Sequence, residues 1–261
     1  MNTMTQDPSF KRPMAPPSGL LQLLEGRALW ELGATVSMWP LLRLAPRGDG
    51  HPVLVLPGLI ASDVSTRVLR RYLREQGYHV HGWKLGRNLG LKEGVEQAIF
   101  DRFDAIHQRH GQKVSLVGWS LGGLYARVLA KHRPGAVRSV VTLGSPFTGH
   151  PRATNAWRVY EWASGRRADD PTEHDKVRGA LKVPSTSIYS RSDGVVAWPC
   201  SIDKESATSE NIEVIASHLG LGVHPAVLYA LADRLAQPEG QWKPFDRRGM
   251  RALVYPNPQR A

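Results

Sequence analysis

Residues 114–124, Val-Ser-Leu-Val-Gly-Trp-Ser-Leu-Gly-Gly-Leu, demand one particular backbone event. A short apolar, β-branched run ends at Gly118-Trp119-Ser120-Leu121-Gly122, and a helical pattern begins with no loop between. The bare Gly-x-Ser-x-Gly pentapeptide is often a flexible turn. A strand before it and a helix behind it instead specify a sharp strand-to-helix bend with the serine at its apex. Gly118 and Gly122 keep Cβ atoms out of that crowded bend. The following helix turns its free N–H groups and positive dipole end toward whatever Ser120 meets.

The surrounding pattern extends this unit into a domain. Apolar strands are expected at 53–56, 78–83, 114–117, 139–143, 185–189 and 212–216, with helices at 62–76, 92–110, 120–132 and 225–235. Strands alternating with helices imply βαβ units and a mostly parallel sheet flanked by helices, hence an α/β fold. The length of 261 residues suits one such domain. Residues 1–18 read as a proline-rich, disordered leader and 19–47 as an apolar helical arm. Residues 48–236 form the α/β domain, and 237–261 a tail along its surface. Residues 147–182 break the rhythm with polar sequence and with Trp157, Tyr160 and Trp162 at helical spacing. A segment of this length is either a cap or lid inserted over the site or a plain connecting helix, and its length favours the cap.

Charge narrows the partners. The chain carries 34 Lys+Arg against 23 Asp+Glu, a net charge of +11. That favours anionic partners. The lack of a strong basic run or nucleic-acid motif sets nucleic acid aside and leaves an anionic membrane face or plain solubility. The arm, rich in leucine and tryptophan, is interrupted by Glu25, Arg27 and Glu31. It falls short of the roughly 20 consecutive apolar residues that span a bilayer. It reads equally well as a peripheral membrane contact or as a helix packed on its own domain. Pro13, Pro16 and Pro17 break up any early apolar stretch, and the single Cys200 makes the fold independent of an oxidising compartment. A cytoplasmic location, with or without peripheral membrane contact, is expected.

In open parallel sheets, ligands bind beyond the carboxyl ends of the strands. A serine hydroxyl needs an adjacent base held by a carboxylate. Two later strand ends supply them: Asp193, in Ser190-Arg191-Ser192-Asp193-Gly194, and His218, in Ser217-His218-Leu219-Gly220. Asp193-Gly194 alone would be an ordinary turn, and His224 rivals His218. His150 and His174 fall in the cap segment, and Asp170 and Asp203 follow no strand directly. Oxyanion donors are expected from the backbone N–H of Leu121, after the nucleophile, and of Leu59, after the first strand. Gly58, Trp119, Asn88 and Phe147 complete the expected set as substrate-binding residues, with no metal ligand among them.

Pro-Val-Leu-Val-Leu-Pro-Gly (52–58), Gly-Trp-Ser-Leu-Gly-Gly (118–123), Thr-Leu-Gly-Ser-Pro-Phe (142–147), Ser-Asp-Gly-Val-Val (192–196) and Ser-His-Leu-Gly-Leu (217–221) together resemble bacterial α/β-hydrolase-fold lipases and esterases. The resemblance covers about residues 50–236. It implies a cofactor-free serine hydrolase acting on small-molecule or lipid carboxylic esters, with Ser120, Asp193 and His218 in the family's chain order. The same triad could pass its acyl group to an alcohol or amine, and a non-catalytic lipid-binding role on the same scaffold is the reading from another class. Many lipases of this group carry His-Gly where this chain has Pro57-Gly58. No Gly-Gly-Gly run occurs there, so the wide oxyanion loop linked with bulky alcohols is not implied.

Overall fold

The computed structural model describes residues 14–258. The polypeptide enters through a helical arm made of α1 (Gly19–Leu23), a 3-10 turn (Leu24–Arg27) and α2 (Ala28–Leu42). It then alternates through β1 (Pro52–Leu56), α3 (Arg67–Glu75), β2 (His79–Gly82), α4 (Val95–His110), β3 (Val114–Trp119), α5 (Leu121–His132) and β4 (Val137–Leu143). The segment after β4 holds two short helices, α6 (Trp157–Ser164) and α7 (Pro171–Val177). The chain returns through β5 (Ser185–Tyr189), β6 (Ser209–Glu213) and α8 (Pro225–Leu235).

The six strands pair in parallel in the order β2-β1-β3-β4-β5-β6. Alternate residues face opposite sides, and both sides are dry. Val53, Val55 and Val117 point into a core closed by α3 and α8, while Leu54, Leu56 and Leu116 point into one closed by α4 and α5. Burial on both faces explains why these strands read as unbroken apolar runs. The strand order reverses direction between β1 and β3. At such a switch point the connecting loops part and leave a crevice above the carboxyl ends.

Several boundaries differ from the sequence pattern for local reasons. Gly94, at φ 78°, delays α4 to Val95. Strand β6 ends at Glu213 rather than near 216, because the N–H of Ala216 donates to Ser190 Oγ and that of Ser217 to Glu31, away from the β5 ladder. The tail does not merely skim the surface: Phe245 and Tyr255 are buried in the α8 core, and the Tyr255 hydroxyl donates to the Ala226 carbonyl at 2.8 Å. The expected leader lies mostly outside the described residues. Within them, Pro17 accepts a hydrogen bond from Asn155 Nδ2 at 3.1 Å, so the stretch before α1 is docked.

The bend between β3 and α5 depends on backbone touching backbone. A Cβ on Gly118 would lie 2.4 Å from the Gly122 carbonyl oxygen, and one on Gly122 would lie 2.2 Å from that of Leu56. Gly122→Ala should cost about 1–3 kcal/mol of unfolding free energy in a urea titration. Gly135→Ala, with no atom within 4 Å of its Cβ position, should leave the midpoint almost unchanged.

Candidate active site

Ser120 is held at φ 53° and ψ −121°. Its N–H donates to the Leu143 carbonyl at 2.8 Å and its own carbonyl accepts from the Gly123 N–H at 2.9 Å, so the strained conformation is fixed from both ends. A left-handed φ at a residue with a Cβ costs roughly 1–3 kcal/mol and persists only where packing over-determines it. Ile60, in the loop after β1, has φ 55°. Its N–H donates to the Asn88 carbonyl, and the Asn88 N–H donates back to the Ala61 carbonyl, at 2.7 and 2.8 Å. The loop carrying Leu59 is therefore pinned as firmly as the elbow. It also sits against it, since a Cβ on Gly58 would lie 3.3 Å from that of Ser120.

Leu121 is the first residue of α5, so its N–H has no partner within the helix. Neither this N–H nor that of Leu59 finds a protein acceptor among the described residues. The loop after β1 and the start of α5 thus border Ser120 with two unused donors.

Beyond β5 and β6 the chain brings Asp193 and His218 together. His218 Nδ1 and Asp193 Oδ2 lie 2.7 Å apart, and both side chains are buried. Asp193 Oδ1 accepts the N–H groups of Val195 and Val196 at 2.8 and 2.7 Å, which fixes the carboxylate plane. The pairing directs the Nδ1 proton of a neutral imidazole to Asp193 and leaves Nε2 as the acceptor. Burial pushes the imidazole pKa down. The charge and hydrogen bond of Asp193, helped by the charge of Glu25, outweigh that and raise it above 6.5. Gly144 allows this pair its place: at φ 54°, a Cβ there would lie 3.1 Å from both Asp193 Oδ2 and His218 Nδ1.

Ser120 and His218 are walls of one cavity of about 320 Å³, shared with Gly58, Leu59, Trp119 and Leu219. Among the described residues no hydrogen bond joins Ser120 to His218. Such contacts commonly tighten only when substrate is bound. A second cavity, of about 110 Å³, opens from Leu59 and Ser120 on the other side. Leu121, Leu124, Val128, Trp157, Tyr160 and Val177 give it an apolar wall, so the 147–182 segment does contribute to the site. His174, at its edge, is held neutral by burial, with the charges of Arg178 and His150 adding to the effect and bringing its pKa to about 4.

The rival residues have other work. His224 caps α8 through the Ala226 N–H at 3.2 Å. Asp170 caps α7 through Thr172, and Asp203 pairs with Arg127 at 2.7 Å. Of the four expected substrate contacts, Gly58 and Trp119 line the larger cavity, and Asn88 and Phe147 line neither. Asn88 is wholly buried: its Nδ2 donates to the Pro57 carbonyl, and its Oδ1 accepts from the Gly90 N–H and the Tyr125 hydroxyl. It braces the loop after β1 instead of meeting a ligand. Phe147 lies under the Arg127 guanidinium, 4.0 Å from its ring centre, packed with Val128 and Val177.

Two acidic residues from the arm also reach the site. Glu25 accepts the N–H groups of Gly194 at 2.7 Å, His218 at 2.9 Å and Leu219 at 2.8 Å. Glu31 accepts the Ser217 N–H at 2.7 Å and the Ser217 hydroxyl. Arg27 donates to the Ser192 carbonyl and hydroxyl, both at 2.8 Å. The only sequence hint was acidic residues spoiling an otherwise apolar helical stripe.

The segment 98–242 matches the family model described as alpha/beta hydrolase fold. Among solved structures the chain is similar to lipase B of Aspergillus fumigatus, with a TM-score of 0.59 and 18% identity over 77% of this chain and 57% of that one. The chain thus spans little more than half the length of that lipase. It is also similar to the monoacylglycerol lipase of Paleococcus ferrophilus, with a TM-score of 0.52 and 17% identity over 72% of this chain and 97% of that one. A structure from the metagenome-derived lipolytic enzymes LipS and LipT aligns with a TM-score of 0.51 and 15% identity over 68% of this chain and 89% of that one. No curated protein sequence matches the chain. At these identities the structural likeness speaks for the fold. The family match covers more than half of the chain, with the elbow, Asp193 and His218 inside it, and on that ground the protein belongs to the α/β hydrolase fold family.

Proposed function

We propose that this protein is a serine hydrolase that cleaves carboxylic esters with a lipophilic acyl group. The observation that carries the reading is the buried Asp193–His218 pair on the wall of the cavity into which the strained elbow sets Ser120. His218 Nε2 takes the hydroxyl proton as Ser120 Oγ attacks the ester carbonyl. The tetrahedral oxyanion receives the N–H groups of Leu59 and Leu121, each such donor being worth a few kcal/mol. The C–O bond to the alcohol then breaks, and the imidazolium returns its proton to the departing oxygen. Water repeats the sequence on the acyl-enzyme with His218 again as base. The smaller apolar cavity, with Tyr125 and His174 kept neutral by burial, suits the acyl chain. The larger cavity beside His218 suits the alcohol.

We also assign the outer face of the arm to an anionic lipid surface. Leu23, Leu29, Trp30, Leu41 and Leu44 are exposed on it. Both acidic residues of the arm are turned inward, while Arg43 and Arg47 remain outside. An apolar face flanked by Arg47 and by Arg43, the latter paired with Glu75 at 3.6 Å, on a chain of net charge +11 complements an anionic bilayer. No helix among the described residues is long and apolar enough to cross the membrane. Gln22 of α1 lines the larger cavity, so this face lies beside its mouth.

Ser120→Ala should reduce hydrolysis of p-nitrophenyl butyrate by about 10⁴-fold or more and abolish labelling by a fluorophosphonate, with unchanged circular dichroism. Undiminished turnover would refute the nucleophile. The base works only when neutral, so kcat/KM should fall as pH drops through the His218 pKa, giving an acid limb above pH 6.5. Asp193→Asn should move that limb down, since burial alone then acts on the imidazole. Sedimentation should find the protein on phosphatidylglycerol vesicles at low salt and not on phosphatidylcholine, and Trp30→Asp should lose most of that binding. Equal binding by the variant, or a dimer that Trp30→Asp dissociates, would overturn the lipid assignment.

A further inference from the structure

Three candidates outside the relay itself stand out: the polar edge of the smaller cavity, the His79–His81–His110 cluster, and the Glu25 carboxylate. The cavity edge belongs to the site already described. His81 Nε2 and His110 Nε2 lie 2.9 Å apart, but no group of three or more ligands among the described residues could hold a metal ion. Glu25 is different, because every hydrogen bond its carboxylate accepts comes from the loop of Asp193 or the loop of His218.

We propose that Glu25 is a positioning residue for the proton relay, a carboxylate sent in from the N-terminal arm that holds the Asp193 loop and the His218 loop in fixed relation. The proposal rests on the serine hydrolase reading and adds to it a residue far outside the triad in the chain. The geometry is specific. Oε1 accepts two N–H groups from two different loops, Gly194 beside Asp193 and His218 itself, and Oε2 accepts the N–H of Leu219. All three partners are donors, so an ionised carboxylate is fully satisfied there, which offsets the cost of burying it. The close fit shows at Gly194 as well, where a Cβ would lie 2.2 Å from the Leu21 carbonyl oxygen of the arm.

No helix or strand covers residues 190–197 or 214–224; the second is a run of turns whose backbone bonds, such as those from the Leu221 N–H to the Ser217 carbonyl and from the His224 N–H to the Gly220 carbonyl, tie it to itself and not to the Asp193 loop. The Glu25 oxygen shared between them joins two direct links, the Ala216 N–H donating to Ser190 Oγ and the Ser192 hydroxyl donating to the Ala216 carbonyl, in setting their separation and with it the 2.7 Å contact of Asp193 with His218. The neighbouring groups reinforce the arrangement: Arg27 holds Ser192 on one side and Glu31 holds Ser217 on the other. The charged groups around the imidazole are thus Asp193 from the β5 loop and Glu25 from the arm, with Glu31 and Arg27 one residue removed. Glu25 adds to the field that favours the imidazolium formed during reaction.

The test is Glu25→Gln, which keeps the shape, removes the charge and turns an NH2 group toward at least one N–H donor. Active sites are counted by fluorophosphonate titration, and kcat is expressed per titrated site. The expected result is a 10- to 100-fold fall in kcat, a KM changed less than about 3-fold, and an acid limb moved to lower pH. Glu25→Asp, which retains the charge, should restore the limb while recovering only part of kcat. A Glu25→Gln enzyme with fewer active sites but unchanged kcat per site and an unchanged limb would show a purely structural role and overturn the proposal. Hydrogen exchange on the intact protein needs no variant: the amides of Gly194, His218 and Leu219 should be protected, and free-loop exchange rates there would overturn it equally. Ser120→Ala separates the two readings. An active Ser120→Ala removes the hydrolase reading, whereas an inactive one alongside a normal Glu25→Gln removes only the role of Glu25.

Discussion

Backbone packed directly on backbone, at the turn from β3 into α5, is the constraint from which the rest of the molecule takes its geometry. Cβ atoms on Gly118 or Gly122 would fall 2.4 and 2.2 Å from backbone carbonyl oxygens. Real Cβ contacts do not reach such distances, so the helix can lie this close to β1 and β3 only without them. The close approach forces Ser120 into a left-handed conformation, and two dry core layers hold it there. The strain then has a consistent direction. Ile60, on the opposite wall of the crevice, carries the same kind of strain and is clamped by Asn88. Rigid walls on both sides suit a site whose donors must await a charge that exists only transiently, because donors fixed in advance need no reorganisation when it develops.

The second requirement is electrostatic. Asp193, Glu25 and Glu31 are all buried near His218, an arrangement that would be prohibitive for bare charges. The acceptor oxygens solve it by taking backbone N–H groups. Asp193 Oδ1 takes two, Glu25 takes three, and Glu31 takes one together with the Ser217 hydroxyl and Arg27. Loops that lack regular structure have such N–H groups to spare, so the loops and the carboxylates satisfy each other. That mutual need explains why the arm is built into the domain and not merely laid on it. Its inner face is polar where it meets the loops and apolar where Leu42 meets the core.

The same distinction explains what could be read from the residues alone. The elbow, the parallel alternation and helix 225–235 were legible because local spacing dictates them. Asp193 and His218 could be chosen because each follows a strand, even though β6 stops at Glu213 and leaves His218 on a longer loop than the apolar run suggested. Glu25 and Glu31 were visible only as interruptions of an apolar stripe, since their partners lie about 170–195 positions away. Asn88 looked available for a ligand because an asparagine in a glycine-rich loop gives no sign that the protein has already used both ends of its amide. Phe147 misled through its place after β4: Arg127, from the middle of α5, covers it. Phe245 and Tyr255 sit among Pro, Gly and Arg, a composition that hides their burial.

In the proposed reaction, the two cavities turn these constraints into selectivity. They meet at Leu59 and Ser120, so a carbonyl placed there has one substituent directed beneath the 147–182 segment and the other past His218 toward the arm. The side beneath the segment is the smaller; Tyr125 and His174 there are pushed toward their neutral forms, and Arg167 and Glu173 are the charged groups of its lining. The side toward the arm is wider, is lined by His218 and is bordered by Gln22 of α1. In the proposed reaction, a leaving alcohol on that side meets the imidazolium as it departs. Its exit lies next to the arm, whose outer face carries exposed leucines and Trp30. One short helical segment therefore faces three ways at once: outward with apolar side chains, sideways onto the mouth, and inward through Glu25 to the loops of Asp193 and His218. The arm meets the loops of Asp193 and His218 through the three hydrogen bonds of Glu25, with Arg27 on Ser192 and Glu31 on Ser217 beside them.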